Sequence, residues 1–178
     1  SMKTQKPIKK SLPNKINLFL TKLYSMINRV IFMRKYYLFI IKKEYGNTYK
    51  NKSYVLYKIL ENLSHLKTCD FSYGIQIFEE LCLPFSVKLL SNYIDNRISY
   101  KRINSKIIQL DDHIERTYLQ LGYPCTIIKS NINNPKILKV FHIYSKEIFV
   151  CDFENKDYFW LSEQIKSGNF TYSKHIIV

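Results

Sequence analysis

The stretch "IIQLDDHIERTYLQLGYPCTIIKS", residues 107–130, decides the fold. Its apolar residues follow a helical rhythm that stops on a Gly-Tyr-Pro corner. Ile107, Leu110, Ile114, Tyr118 and Leu121 recur at the spacing that places them on one helix face, and Asn104 or Ser105 can begin that helix. Gly122 is suited to the left-handed conformation that ends a helix. Pro124 forbids continuation and biases Tyr123 toward an extended shape. On this reading the chain then runs extended and projects Lys129 from a surface loop. Asn134 and Pro135 supply the cap and first residue of the next helix, which carries Ile137, Val140, Phe141, Tyr144 and Ile148.

The same rhythm extends upstream. Val55, Leu56, Ile59, Leu60, Leu63 and Leu66 make one stripe. Ser72 can cap a shorter helix with Ile75, Phe78 and Leu81, and Pro84 opens another with Val87, Leu90 and Ile94 inward. From the candidate cap Asn14, Ile16, Phe19, Leu20, Leu23, Ile27, Val30 and Ile31 predict an amphipathic helix to about Lys43, ended by Gly46. Before it, a basic stretch punctuated by Pro7 and Pro13 has too little apolar surface to order itself. At the other end, residues 154–178 read ambiguously. Their first half suits a helix, while "NFTYSKHIIV" alternates as a strand does.

Composition bounds the function. A chain of 178 residues with 46% hydrophobic content can fill one core. The net charge of +14 is uneven, since residues 1–50 hold 12 Lys/Arg against the single acid Glu44. Such an excess favours a polyanionic partner, whether nucleic acid, an anionic membrane surface or an acidic protein lattice. The apolar segment "INLFLTKLYSMINRVIFMRKYYLFII" is broken by Lys22, Arg29, Arg34 and Lys35, so it does not read as a membrane span. Cys69, Cys82, Cys125 and Cys151 form no C-x-x-C pair. With the scattered His65, His113, His142 and His175 they match no zinc pattern, and they read as buried thiols of an intracellular, reduced protein.

No phosphate-binding glycine loop, nucleophile elbow or H-E-x-x-H motif is present. Asp111, Asp112, His113 and Glu115 are the densest titratable cluster. An enzyme centred on Asp112, His113 and Glu115 would need them to converge in one pocket, whereas successive helical residues fan out. The chain is therefore read as no enzyme, with neither cofactor nor metal.

"LGYP" followed by Lys-Ser and an aliphatic, in "LGYPCTIIKSNI", resembles the HEC family of outer-kinetochore subunits. "YVLYKILENL", "PFSVKLLSNYID" and "IIQLDDHIERTYLQ" are similar to helices of that family's calponin-homology head, and the similarity covers about residues 50–152. The sequence departs from the family after Ile132, where "NNPK" replaces a Gly-rich turn, and the helix from Asn14 to Lys43 has no counterpart. The resemblance implies an all-α calponin-homology-like head, to which the reading of the residues adds an extra N-terminal helical segment and a short C-terminal extension. It divides the chain into a basic disordered tail (1–13), a basic amphipathic helical segment (14–48), the head (49–153) and the extension (154–178). It further implies microtubule attachment at a nuclear kinetochore through Lys129 and Lys88, with Lys101, Arg102, Lys106 and Arg116 contributing against the acidic tubulin surface. A second calponin-homology subunit would join through a coiled coil. This sequence has no heptad run, so it is expected to be a head fragment. The alternative is a nucleic-acid-binding protein using the basic first 50 residues.

Overall fold

The structure, a computed structural model, describes residues 33–66 and 71–168. The described residues from Arg34 onward belong to one compact unit. The described part is a mixed α/β domain built on an eight-stranded antiparallel sheet, which corrects the all-α expectation.

In chain order the elements are β1 (Arg34–Ile41), α1 (Lys43–Tyr49), a short 3-10 turn (Lys50–Lys52), α2 (Ser53–Ser64), α3 (Phe71–Leu81), β2 (Cys82–Leu83) and α4 (Val87–Asp95). There follow β3 (Lys101–Arg102), β4 (Ile107–Asp111), β5 (Arg116–Gln120), β6 (Thr126–Ser130), α5 (Ile137–Tyr144), β7 (Ile148–Asp152), β8 (Asp157–Trp160) and α6 (Leu161–Lys166). Across the sheet the order is β3, β4, β5, β6, β1, β7, β8, with β2 also pairing β1.

Four readings fail, the two long helices for definable reasons. The amphipathic helix expected to reach Lys43 is, from Arg34 onward, the strand β1, which pairs with β6 on one side and β7 on the other. Helices cover both faces of that strand, so Tyr36, Leu38, Phe39, Ile40 and Ile41 are all buried and no alternation marks it. The part of that expected helix before Met33 lies outside the described residues, as do the tail 1–13 and residues 169–178. The helix expected over residues 107–121 is instead the hairpin of β4 and β5. Its turn is made by Asp112, whose Oδ1 accepts from the backbone N–H of Ile114 at 2.8 Å and of Glu115 at 2.7 Å. Ile114, expected on the inner face, is 68% exposed, while Leu119 is fully buried. Gly122 takes no left-handed conformation, since among the described residues only Lys156 and Gly168 have positive φ. It lies in the β5–β6 connection, where the Tyr123–Pro124 bond is cis. Gly46 does not end a helix but lies buried inside α1.

The shorter helices stand near where their periodicity places them, but α3 already begins at Phe71, so Ser72 does not cap it, Val87 is exposed rather than inward, and Ile148 belongs to β7 rather than to α5. On α2 the buried residues are Leu56, Tyr57 and Leu60, and on α4 they are Leu90 and Ile94. Ser86 caps α4 by accepting from the N–H of Leu89. These helices divide between two cores. Against one face of the sheet, α4, α5 and α6 pack Leu90, Ile94, Ile137, Phe141 and Leu161 onto Tyr36, Leu38, Ile108, Leu119, Ile128 and Val150. On the other, α2 and α3 pack Leu56, Leu60 and Phe78 onto Phe39, Ile41, Phe149, Cys151 and Trp160. Among the described residues this second layer stops short. Its sheet residues come from β1, β2, β7 and β8, with Cys125 at its margin, and none comes from β3, β4 or β5.

Candidate binding face

The strands outside that second layer show the sequence signature of a half-covered sheet. Buried and less buried residues alternate along β4, β5 and β6. Inward-facing are Ile108, Leu110, Thr117, Leu119, Ile128 and Ser130. Thr117 and Ser130 are polar, but their hydroxyls bond each other at 2.8 Å, and Thr117 also donates to Glu115 at 2.7 Å, so their burial leaves no group unpaired.

On the opposite face the register lines up residues from five strands. Lys101 stands opposite Gln109, Gln109 opposite Tyr118, Tyr118 opposite Lys129, and Lys129 opposite Lys35. At about 4.8 Å between neighbouring strands, this row is about 19 Å long. A second row beside it runs Ile107, Gln120, Ile127 and Tyr37. Ile107, Tyr118 and Ile127 are half-buried and belong to neither core. Beyond the first row, Arg116 pairs with Asp111 at 3.3 Å. Lys35 lies over the Tyr37 ring at 4.7 Å, and Lys101 and Lys129 make no ion pair among the described residues. The face therefore has an aliphatic and aromatic centre with cations around it, and Asp111 is its single acid among the described residues.

Of the six basic residues singled out by sequence, three meet here: Lys101, Arg116 and Lys129. Lys129 projects from a strand rather than from a loop corner. Arg102 turns to the other side of β3, where it stacks on the Tyr100 ring at 5.5 Å. Lys106 sits in the exposed β3–β4 turn. Lys88 is exposed on α4, in the layer across the sheet. Lys35, Gln109, Tyr118, Ile107 and Ile127 were not foreseen as site residues. The alternation in "RTYLQ" and "TIIKS" is the signal that could have found them.

Asp111, Asp112, His113 and Glu115 do not converge. Asp112 serves the turn and pairs with Lys136 at 2.5 Å, which together hold its carboxyl well below the usual range. Glu115 is buried beneath the hairpin and accepts from the N–H of Lys136. His113 is exposed at the turn, and Asp111 faces Arg116. No group of three His, Cys, Asp or Glu that could hold a metal ion occurs among the described residues. Cys82, Cys125 and Cys151 are free thiols raised by burial, Cys125 to about 11, and Cys69 lies outside the described residues. No described helix is long and apolar enough to cross a membrane.

His142 on α5 sits where its surroundings shift its titration. Its Nε2 lies 3.0 Å from the Lys146 ammonium and its Nδ1 is buried without a hydrogen-bond partner. Burial, and then Lys146 and Lys166, lower its pKa from 6.5. With the folded value depressed, the unfolded chain takes the proton first as pH falls. Stability from this residue is therefore complete above about pH 6.5 and declines below it. Denaturant midpoints measured from pH 7.5 to 5.5 should fall in the parent and fall less in His142→Gln; equal slopes would exclude this role.

Compared with known proteins, the chain matches no family model and no curated sequence.

Proposed function

We propose that the domain is a non-catalytic binding module that docks an acidic protein surface on the face of β3 to β6 that no described helix covers. The observation that carries this reading is the lateral row Lys101, Gln109, Tyr118, Lys129 and Lys35. It sets cations around the half-buried apolar side chains Ile107, Tyr118 and Ile127, which belong to neither core of described residues. An apolar centre with a charged rim is the anatomy of a protein interface. Ile107 and Ile127 favour a protein over nucleic acid, because aliphatic side chains offer bases no stacking platform. Tubulin, the partner implied by the resemblance of residues 121–132, is one acidic surface of this kind. The helical head on which that expectation rested is not the fold of these residues.

Cosedimentation with polymerised tubulin, and anisotropy titrations against a glutamate-rich 20-residue peptide and single-stranded DNA, test the proposal over a salt series. The acidic proteins should bind with a salt-sensitive affinity. The double variant Lys101→Glu, Lys129→Glu should weaken that binding at least tenfold, and Lys88→Glu on the opposite layer should weaken it much less. Equal effects of the two would show that only net charge acts. Tighter binding to DNA at equal salt would favour the nucleic-acid reading instead.

A further inference from the structure

We infer that the occupant of this face is an amphipathic helix of the partner, apolar along one side and acidic on its flanks, which completes the helical layer that the described helices leave unfinished over the sheet. The inference rests on the proposed function and names the partner's form.

Three observations carry it. First, the covered half of this face is finished by helices, with α2 and α3 laying Leu56, Leu60 and Phe78 on Phe39, Phe149 and Trp160. The uncovered half continues the same sheet surface with Ile107, Tyr118 and Ile127. A sheet face carrying apolar side chains is stably buried by another layer, and the neighbouring layer is helical. Second, the geometry disfavours an added strand on this side. The edge strand β3 is only two residues long and carries Lys101 and Arg102, and short, charged edges resist strand addition. Third, the charge selects the partner's flanks. Lys101 lies at one end of the row and Lys129 and Lys35 at the other, with Arg116 alongside. A helix seated on the central residues would meet cations on both sides. A second copy of the chain would bring the same cations against them, so self-association through this face is repelled.

The probe is an 18-residue peptide with leucines at helical spacing and glutamates on both flanks. Its control is an isomer of identical composition with leucine and glutamate alternating. By anisotropy the helical isomer should bind at least tenfold more tightly, and its far-ultraviolet circular dichroism should gain helix on mixing. Ile127→Asp should reduce it to the affinity of the control, whereas Lys101→Glu with Lys129→Glu should weaken both peptides. Should Ile127→Asp prove unstable to denaturant, Ile127→Thr gives the same comparison on a β-branched residue suited to the strand. Equal binding of the two isomers overturns the helical occupant and leaves the acidic-partner reading standing. Absence of binding by both, together with unchanged binding of the glutamate-rich peptide to the lysine double variant, overturns the two together.

Discussion

Leu119→Asp is expected to unfold the domain or remove several kcal/mol of its stability, while Ile114→Asp, five residues earlier, should change it by about half a kcal/mol or less. Leu119 is fully buried at the centre of β5, paired on one side with Ile108 of β4 and on the other with Ile128 of β6. A carboxylate placed there has no cation or donor within the apolar core and must either be desolvated or take up a proton. Folded domains hold only about 5–15 kcal/mol of stability in total, so either route consumes much of it. Ile114 is on the outside of the β4–β5 turn, 68% exposed, and contributes its backbone N–H to Asp112 rather than its side chain to a core. The pair separates the hairpin from a helix, in which Ile114 would face inward. Urea midpoints that fall equally, or further for Ile114→Asp, would reject the strand assignment.

Trp160→Ala should cost about 3–5 kcal/mol, the range for deleting a large buried aromatic side chain. Trp160 is 1% exposed and meets Phe149 edge-on with ring centroids 5.0 Å apart. Its Nε1 donates to Ser53 Oγ at 3.0 Å, tying the last strand to the first turn of α2. Its ring also reaches the place where Gly46 of α1 lacks a side chain, since a Cβ there would lie 3.9 Å from Trp160 Cη2. Removing it leaves a void bounded by a strand and two helices, which cannot all close in together. Trp160→Phe keeps much of the apolar contact but loses the hydrogen bond, for a smaller expected loss of about 1–2 kcal/mol. Equal denaturation midpoints for the two variants would show that the ring volume is not what this site needs.

These residues also show which parts of the fold were legible in the sequence. The helices after Ser53 are short, exposed on one side and apolar on the other, so their period is plain. Strand β1 offers no such contrast. It is covered on both faces, and "YYLFII" is compatible with a buried strand or with the end of a long helix. Over residues 107–121 the strand period was masked twice. Thr117 is polar yet faces inward because Glu115 and Ser130 satisfy it, and the turn uses Asp112 without a glycine. The candidate face was less legible still. Its residues come from positions 35, 101, 107, 109, 116, 118, 127 and 129, and only the register brings them together. A lysine on a strand and a lysine on a solvated loop read alike until the pairing is known.

The place of β1 in the sheet bears on how the chain comes to be folded. Synthesised first among the described strands, β1 gains a short partner in β2 at Ile40 and Ile41, but its long partners β6 and β7 come about a hundred residues later, whereas β4, β5 and β6 pair with immediate neighbours. The meander can close as soon as it emerges, but the central strand must wait. At about 5–20 residues per second on the ribosome, that wait is about 5–20 seconds. During this interval most of "YYLFII" lacks its strand partners and is a β-prone segment open to the wrong neighbour. Closure across so long a loop also slows refolding from denaturant, because the chain entropy is lost before the pairing rewards it. Arg34 and Lys35, immediately ahead of the run, place like charges beside it and discourage association between nascent chains.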